Sequence, residues 1–134
     1  MSDGKAVKIS LAGIAVEHNK FFVAKRLPGG DMGERWEFPG GKLEDGESEQ
    51  EALVREFDEE FGVTVEVGPL VAEASFEHHN CVRALRAYLV HFADHRFALS
   101  EHTDYRWVVL DEIPALNFTD SDLKLLPGLK QYFQ

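Results

Sequence analysis

Three glutamates on one predicted helix are the residues best suited to do chemistry in this chain. Glu56, Glu59 and Glu60 lie in a stretch, residues 48–61, that contains no Gly or Pro. At helical spacing they share one side, where like charges repel by roughly a few tenths of a kcal/mol per pair. A solvated acidic face is the simpler interpretation. An apolar stripe of Leu53, Phe57 and Phe61 on the same helix and the Arg55 beside the acids favour a different interpretation. They favour a site for a hard divalent cation, which prefers carboxylate oxygens.

The ends and faces of this helix can be predicted as well. Ser48 and Glu51 have the spacing of a capping box, and Gly62 stands where a left-handed C-cap is expected. On the side of the helix opposite Glu56, Glu59 and Glu60 we expect two ordinary solvated carboxylates, Glu51 and Asp58. The apolar stripe that would face a core consists of Leu53, Phe57 and Phe61, with Val54 at its margin.

The loop before the helix, Pro39-Gly40-Gly41, follows a short predicted strand at residues 36–38. Two glycines permit backbone conformations closed to other residues, so such a loop can bring a carbonyl up to a metal. Residues 41–63, GKLEDGESEQEALVREFDEEFGV, resemble the Nudix box of the nucleoside-diphosphate hydrolases at every fixed position. The resemblance implies that water attacks a bridging phosphorus with the help of Mg²⁺, or alternatively Mn²⁺.

The resemblance also implies roles for individual residues. Arg55 would orient the box carboxylates through hydrogen-bonded ion pairs, and which glutamate acts as the base stays open. The implied catalytic residues are Glu56, Glu59, Glu60, Arg55 and Glu101. The implied metal ligands are the Gly41 carbonyl, Glu47, Glu56, Glu59 and Glu60.

Residues outside the box are similar to those of the MutT branch, which sanitises nucleoside triphosphates. Residues 36–41, WEFPGG, carry this likeness, as does Arg26, which would contact phosphates or ribose. Glu101, ahead of Trp107, would be an auxiliary ligand or base. His102 beside it is expected to be structural or exposed, since the histidines show no zinc-site spacing.

The likeness extends to the end of the chain. Asp122 falls where the branch places the residue that reads the base edge, and we expect it at an exposed rim. The alternative for this stretch is a helix N-cap. The candidate walls for the base are Phe38, Leu85 and Phe118, although any of them can equally belong to the core.

The implied reaction converts a nucleoside triphosphate to a monophosphate and pyrophosphate. The MutT-like features favour an oxidised guanine nucleotide such as 8-oxo-dGTP. Cytidine triphosphate or a modified cytidine triphosphate fits the same features equally well. A further alternative is a Nudix domain that binds nucleotides as a sensor without catalysis, against which the intact Glu56, Glu59 and Glu60 argue.

Composition bounds the remaining possibilities. With 134 residues we expect a single domain spanning 1–134, and a formal charge of -10 disfavours polymeric nucleic acid as a partner. One cysteine, Cys81, excludes an intramolecular disulfide. Neither a signal segment nor an apolar run of membrane-spanning length occurs, so we expect a cytoplasmic protein without membrane contact. Monomer and homodimer both remain open.

The elements that must position these residues follow from periodicity and turn residues. We predict strands over residues 7–16, 21–25, 82–92 and 105–110, and one or two strands within 63–76. A second helix over 120–133 should break or bend at Pro127-Gly128. Strands with one helix in the middle and another at the end predict an α/β fold with a mixed sheet between helices. This matches the α/β/α sandwich that the Nudix resemblance implies.

Overall fold

Within residues 7–134, the strands divide into two four-stranded sheets. The computed structural model describes residues 7–134, apart from the side chain of His78, so the first six residues of the predicted domain lie outside the described part. In this part of the chain the strands are β1 Lys8–Ile14, β2 Val16–Glu17, β3 Lys20–Arg26, β4 Trp36–Glu37, β5 Gly40–Lys42, β6 Val65–His78, β7 Cys81–Phe92 and β8 His102–Val108.

The two sheets differ in strand direction. The first has the order β5-β1-β7-β6 and is mixed, because β1 and β7 run parallel while the other neighbours are antiparallel. In the second sheet β3 pairs antiparallel with β2, β4 and β8. The predicted mixed sheet is therefore present, and a second, antiparallel sheet accompanies it.

Helices cover the sheets on opposite sides. They are α1 Glu49–Phe61, α2 Asp120–Leu123 and α3 Leu126–Tyr132, with a 3-10 helix at Leu110–Ala115. Successive residues of a strand face opposite ways, and in β3 Phe21 belongs to one core cluster while Phe22 belongs to the other. The cluster around Phe22 includes Phe57 of α1, whereas that around Phe21 includes Leu129 of α3. The predicted α/β/α sandwich is thus confirmed.

Helix α1 has the ends that its sequence predicts. The Glu51 N–H donates to Ser48 Oγ at 3.1 Å, and the Ser48 N–H donates to Glu51 Oε1 at 2.8 Å, which completes the capping box. Gly62 adopts the left-handed conformation with φ 65°. The apolar stripe of Leu53, Phe57 and Phe61 is buried. The glutamates are therefore carried by a helix that is secured at both ends and along one face.

Three of the predicted elements have wrong boundaries. The strand predicted over 105–110 is β8, which begins at His102 and ends at Val108. The C-terminal helix is interrupted between Leu123 and Leu126, not at Pro127-Gly128. Pro127 lies in the first turn of α3, where a missing N–H leaves no helical hydrogen bond unmade. The strand predicted over 7–16 is interrupted at Ala15, and its two parts join different sheets.

The predicted strand region at 63–76 forms a single long strand, β6. Its pairing with β7 shifts register twice between Val67 and Ala72, so the strand bends without ending. Within residues 7–134, no helix combines the length and the apolar character needed to cross a membrane.

Candidate active site

The helix α1 presents its glutamates to a cavity of about 320 Å³, which we call the acidic pocket. Strands β3, β5 and β8 supply the other walls. The pocket is lined by Arg26, Gly40, Gly41, Glu56, Glu59, Glu60, Glu101 and His102. Tertiary structure thus brings together four of the five predicted catalytic residues and the predicted phosphate contact, Arg26.

The three helical glutamates differ in burial. Glu60 is only 9% exposed, Glu56 is half-buried and Glu59 is exposed. Burial, followed by a hydrogen bond and charge repulsion from Glu56 and by the charges of Glu37 and Glu101, raises the pKa of Glu60 far above its usual range. Burial among these carboxylates therefore favours the protonated form of Glu60, and a bound cation would favour the ionised form. A buried carboxyl with further carboxylates around it is a donor set that fits a hard divalent cation.

Arg55 holds several box carboxylates in place. Its Nε and Nη2 bind the two oxygens of Glu47 at 3.1 and 2.8 Å, and its Nη1 donates to Glu56 at 2.7 Å. The same Nη1 lies 3.5 Å from Glu59, and Nη2 donates to the Lys42 carbonyl at 3.2 Å. These contacts are the ones that an orienting role requires.

Glu47 is placed differently from the other predicted ligands. Both of its oxygens accept hydrogen bonds from Arg55, which lower the pKa of the Glu47 carboxyl. Its Oε1 also accepts the Glu44 N–H at 2.9 Å. The residue therefore lies behind Arg55 and outside the lining of the acidic pocket, and its role as a metal ligand stays a prediction.

The glycines of the loop are needed for a reason other than the one predicted. Neither Gly40 nor Gly41 has a positive φ, and both belong to β5. A Cβ at Gly40 would collide with the backbone of Leu11, and a Cβ at Gly41 would collide with the Glu56 carboxyl. Close approach, and not a left-handed backbone, explains both glycines.

A hydrogen-bonded chain behind the acidic pocket was not predicted. Glu37 accepts a hydrogen bond from Arg26 at 3.0 Å and lies 2.8 Å from Nε2 of His102. The buried His102 ring stacks on Phe61, and its Nδ1 lies 3.8 Å from Glu60 Oε1 without a hydrogen-bond partner. Glu37, Glu60 and His102 each offer a possible ligand atom within 4.8 Å of the others. The sequence singled out Arg26 as a phosphate contact, and Glu37 lies in the WEFPGG segment, but no local pattern joins these two residues to His102.

A second cavity of about 310 Å³, which we call the side pocket, adjoins the acidic pocket and shares Arg26, Gly40 and Gly41 with it. Two of the predicted base walls, Phe38 and Leu85, line it. Phe118 is buried in the core and packs edge-to-face on Phe38, with ring centroids 5.1 Å apart. Phe118 thus supports the wall from behind.

Asp122 also lines the side pocket, but it is buried, so the expected exposed rim position is wrong. Its Oδ2 accepts the Phe38 N–H at 2.9 Å. Burial and then the charge of Glu37 raise the pKa of Asp122 to about 7. The N-cap alternative is wrong too, because Thr119 is the N-cap of α2 and Asp122 lies within the helix.

Comparison with known proteins bears directly on this geometry. The protein-family model described as NUDIX domain matches residues 6–129 of the sequence. The chain belongs to the Nudix family. An 8-oxo-dGTP diphosphatase of Proteus vulgaris is 48% identical over 65 residues, which are 48% of this chain and 58% of that protein. The CTP pyrophosphohydrolase of Escherichia coli (strain K12) is 33% identical over 116 residues, 87% of this chain and 86% of that protein.

Solved structures agree with the Nudix assignment. The solution structure of the E. coli ORF135 protein matches with a TM-score of 0.84 and 31% identity, covering 93% of this chain and 89% of that chain. The structure of MutT from Aliivibrio salmonicida and Vibrio cholerae matches with 30% identity and a TM-score of 0.68, covering 95% of this chain and 100% of that chain. Together with the curated relatives, this likeness places the chain in the MutT-like branch of the Nudix hydrolases. The resemblance found in residues 36–63 is thereby confirmed at the level of family and branch.

Proposed function

We propose that this Nudix hydrolase is a magnesium-dependent nucleoside triphosphate pyrophosphohydrolase, which converts a triphosphate and water to a monophosphate and pyrophosphate. The observation that carries the proposal is the adjacency of two pockets. One holds carboxylates suited to a cation and the other is partly apolar, and Arg26 lies in both. A triphosphate chain fits beside the carboxylates, and the nucleoside fits in the side pocket.

The carboxylates in and around the acidic pocket have separate tasks in this proposal. Glu56, Glu59 and Glu60 hold Mg²⁺ together with the Gly41 carbonyl, and Glu47 serves as a further ligand. When bound, Mg²⁺ neutralises phosphate charge and lowers the pKa of the attacking water. Glu101 at the exposed rim is the auxiliary ligand or base. Arg55 keeps the carboxylates oriented and does not contact the substrate.

The nucleoside end is bound by other residues. Arg26, which is paired with Glu37 and lines both pockets, contacts phosphate or ribose in this proposal. Phe38 offers an apolar wall to the base, and Phe118 keeps that wall rigid. Asp122 accepts a hydrogen bond from an amino or ring N–H group of the base when ionised, and donates one when protonated.

The preferred substrate in this proposal is an oxidised guanine nucleotide such as 8-oxo-dGTP, whose removal protects DNA. The name of the Proteus vulgaris relative supports it. The alternative is CTP or a modified cytidine triphosphate, which the E. coli (strain K12) relative supports over most of both chains. We further propose a single-domain cytoplasmic protein, monomeric or homodimeric, in which Cys81 stays reduced.

The test is a product analysis with purified protein, Mg²⁺ and a panel of 8-oxo-dGTP, dGTP, CTP and ATP. We expect monophosphate and pyrophosphate in equal amounts, no turnover in excess chelator, and faster turnover at alkaline pH. Ranking kcat/KM over the panel decides between the guanine and cytidine alternatives. Release of inorganic phosphate as the first product contradicts the proposed reaction. Binding without hydrolysis under all these conditions would support the non-catalytic sensor.

A further inference from the structure

Arg83 is a cation of the side pocket that the proposed function does not use. It lies in β7 two residues before Leu85, so the two side chains share one face of the sheet. Its Nη1 donates to Ser10 Oγ of the neighbouring strand β1 at 3.1 Å. Arg83, Ser10 and Leu85 all line the side pocket, together with Phe76. Arg83 is thus half-buried and held in place at the pocket wall.

Arg83 differs from the other pocket-lining arginine in its partners. Arg26 is paired with Glu37, whereas the partner found for Arg83 among residues 7–134 is the neutral Ser10 hydroxyl. The arginines that form salt bridges in this part of the chain are Arg26, Arg35, Arg55 and Arg86. A guanidinium carries five N–H donors in a fixed fork, so Arg83 has donors left for a ligand.

The position of Arg83 indicates which part of a nucleotide it meets. Arg26 lines both pockets, while Arg83 lines the side pocket and lies outside the lining of the acidic pocket. Phosphates beside Glu56 and Glu60 would therefore approach Arg26. Arg83 reaches the side pocket from the sheet, and Asp122 reaches it from helix α2. The side pocket therefore has a cationic donor on one wall and a carboxyl on another.

We infer that Arg83, oriented by Ser10, is a specificity-determining residue that donates hydrogen bonds to a carbonyl oxygen of the nucleobase. Asp122 faces an amino or ring N–H group of the same base. The inference rests on the proposed function and names the class of base that the side pocket selects. Bases that have both a carbonyl and an N–H donor, such as guanine, 8-oxoguanine and cytosine, fit this pair. Adenine has no carbonyl and leaves the Arg83 donors unpaired.

The experiment compares the variants on guanine and on a base that lacks both its C6 carbonyl and the N1 proton that accompanies it. The 2-aminopurine deoxynucleoside triphosphate keeps the exocyclic amino group of dGTP and lacks its carbonyl. We would measure kcat/KM of wild type, Arg83→Met and Ser10→Ala for 8-oxo-dGTP, dGTP, dCTP, dATP and the 2-aminopurine nucleotide. Arg96→Met is the matched control, because it removes the same charge from an exposed loop residue.

In Arg83→Met we expect the preference for dGTP over the 2-aminopurine nucleotide to shrink by about ten- to a hundredfold. Turnover of dATP should stay unchanged. Ser10→Ala should move the same preference in the same direction by less, since only the orientation of Arg83 is lost. If Arg83→Met does not fold, the Ser10→Ala variant serves as the test. Arg96→Met should resemble wild type throughout.

Two results overturn the inference: an unchanged preference, or an equal loss on every nucleotide including dATP, which would assign Arg83 to phosphate binding or stability. The proposed function fails separately, if wild type hydrolyses none of the triphosphates. In that case the dissociation constants of dGTP and the 2-aminopurine nucleotide are compared for the same variants. A smaller preference for dGTP in Arg83→Met still supports the role of Arg83, and an unchanged preference rejects it.

Discussion

The three helical glutamates of the acidic pocket differ in burial and in their partners. Glu59 is exposed, whereas Glu60 is buried, with a pKa raised chiefly by that burial. Glu56 is intermediate in burial, and its Oε1 accepts a hydrogen bond from Arg55 Nη1 at 2.7 Å. Glu56 is therefore oriented by Arg55. Glu60 is a carboxyl that would ionise when a divalent metal cation displaces its proton.

Glu56 offers a direct test at the residue scale. Glu56→Gln keeps the size of the side chain and removes the charge that would hold Mg²⁺. We expect kcat/KM to fall by about a hundredfold or more at saturating Mg²⁺, comparable to the loss of one major electrostatic contact. The circular dichroism spectrum should match that of the wild type.

Two other acids of the same helix serve as controls. Glu51→Gln preserves the capping box, because glutamine can accept the Ser48 N–H as glutamate does. Asp58→Asn changes an exposed side chain. Both variants should keep near-normal turnover. Near-normal turnover of Glu56→Gln as well would remove Glu56 from the metal site.

At the scale of elements, the short strand β5 sets the distance between α1 and the sheet. It pairs antiparallel with β1, with Gly41 opposite Leu11, and it packs against α1. Gly41 faces the Glu56 carboxyl while Gly40 faces the backbone of Leu11. Adjacent glycines in one strand therefore serve different purposes, one for the site and one for the sheet.

Alanine substitutions at these two positions should separate activity from stability. In Gly41→Ala the flexible Glu56 side chain can move away from the new methyl group. The melting temperature should change little, but activity should fall by about tenfold to a hundredfold because Glu56 is misplaced. In Gly40→Ala a backbone must move, so unfolding free energy should fall by about 1–3 kcal/mol. Thermal melts and kcat/KM check both variants, and a fully active Gly41→Ala enzyme would contradict the close approach to Glu56.

At the scale of the whole molecule, a chain with formal charge -10 keeps Glu60 and Asp122 buried within residues 7–134. Both have pKa values raised above the ordinary carboxyl range, that of Asp122 to about 7. From the ordinary carboxyl pKa up to these raised values, the folded protein binds more protons than the unfolded chain. Its stability must therefore fall as pH rises through this window.

Thermal unfolding in chelator should show this dependence. Between about pH 5 and pH 8, the unfolding free energy should decrease with pH by at most about 1.4 kcal/mol per pH unit for each group. Glu60→Gln should flatten the slope and raise the stability of the metal-free protein at pH 8. Added Mg²⁺ should stabilise wild type more at pH 8 than at pH 6, since binding displaces the proton.

The same melts contain their own control. Glu51→Gln removes an exposed carboxylate from the same helix and should leave the slope as in wild type. The assignment of buried, protonated carboxyls would be wrong if stability rose with pH across this window. A slope unchanged by Glu60→Gln would remove Glu60 as its cause.

The sequence by itself determined the helix α1, both of its caps and the shared side of Glu56, Glu59 and Glu60. Helical periodicity and capping are local, so residues within one turn of each other decide them. The box pattern likewise identified the family from residues 41–63 alone. The sequence also predicted the layers of the fold, because strands with one helix in the middle and another at the end favour a sheet between helices.

Only the tertiary structure decided which distant residues join the site. Arg26, Glu37 and His102 meet because β4 and β8 pair with opposite edges of β3. Strand order depends on long-range pairing, which no local period in the sequence records. The burial of Asp122 and the placement of Arg83 beside Ser10 depend likewise on packing between elements far apart in the chain. Burial and neighbouring charge set the pKa of a carboxyl, so these chemical states follow from the folded structure.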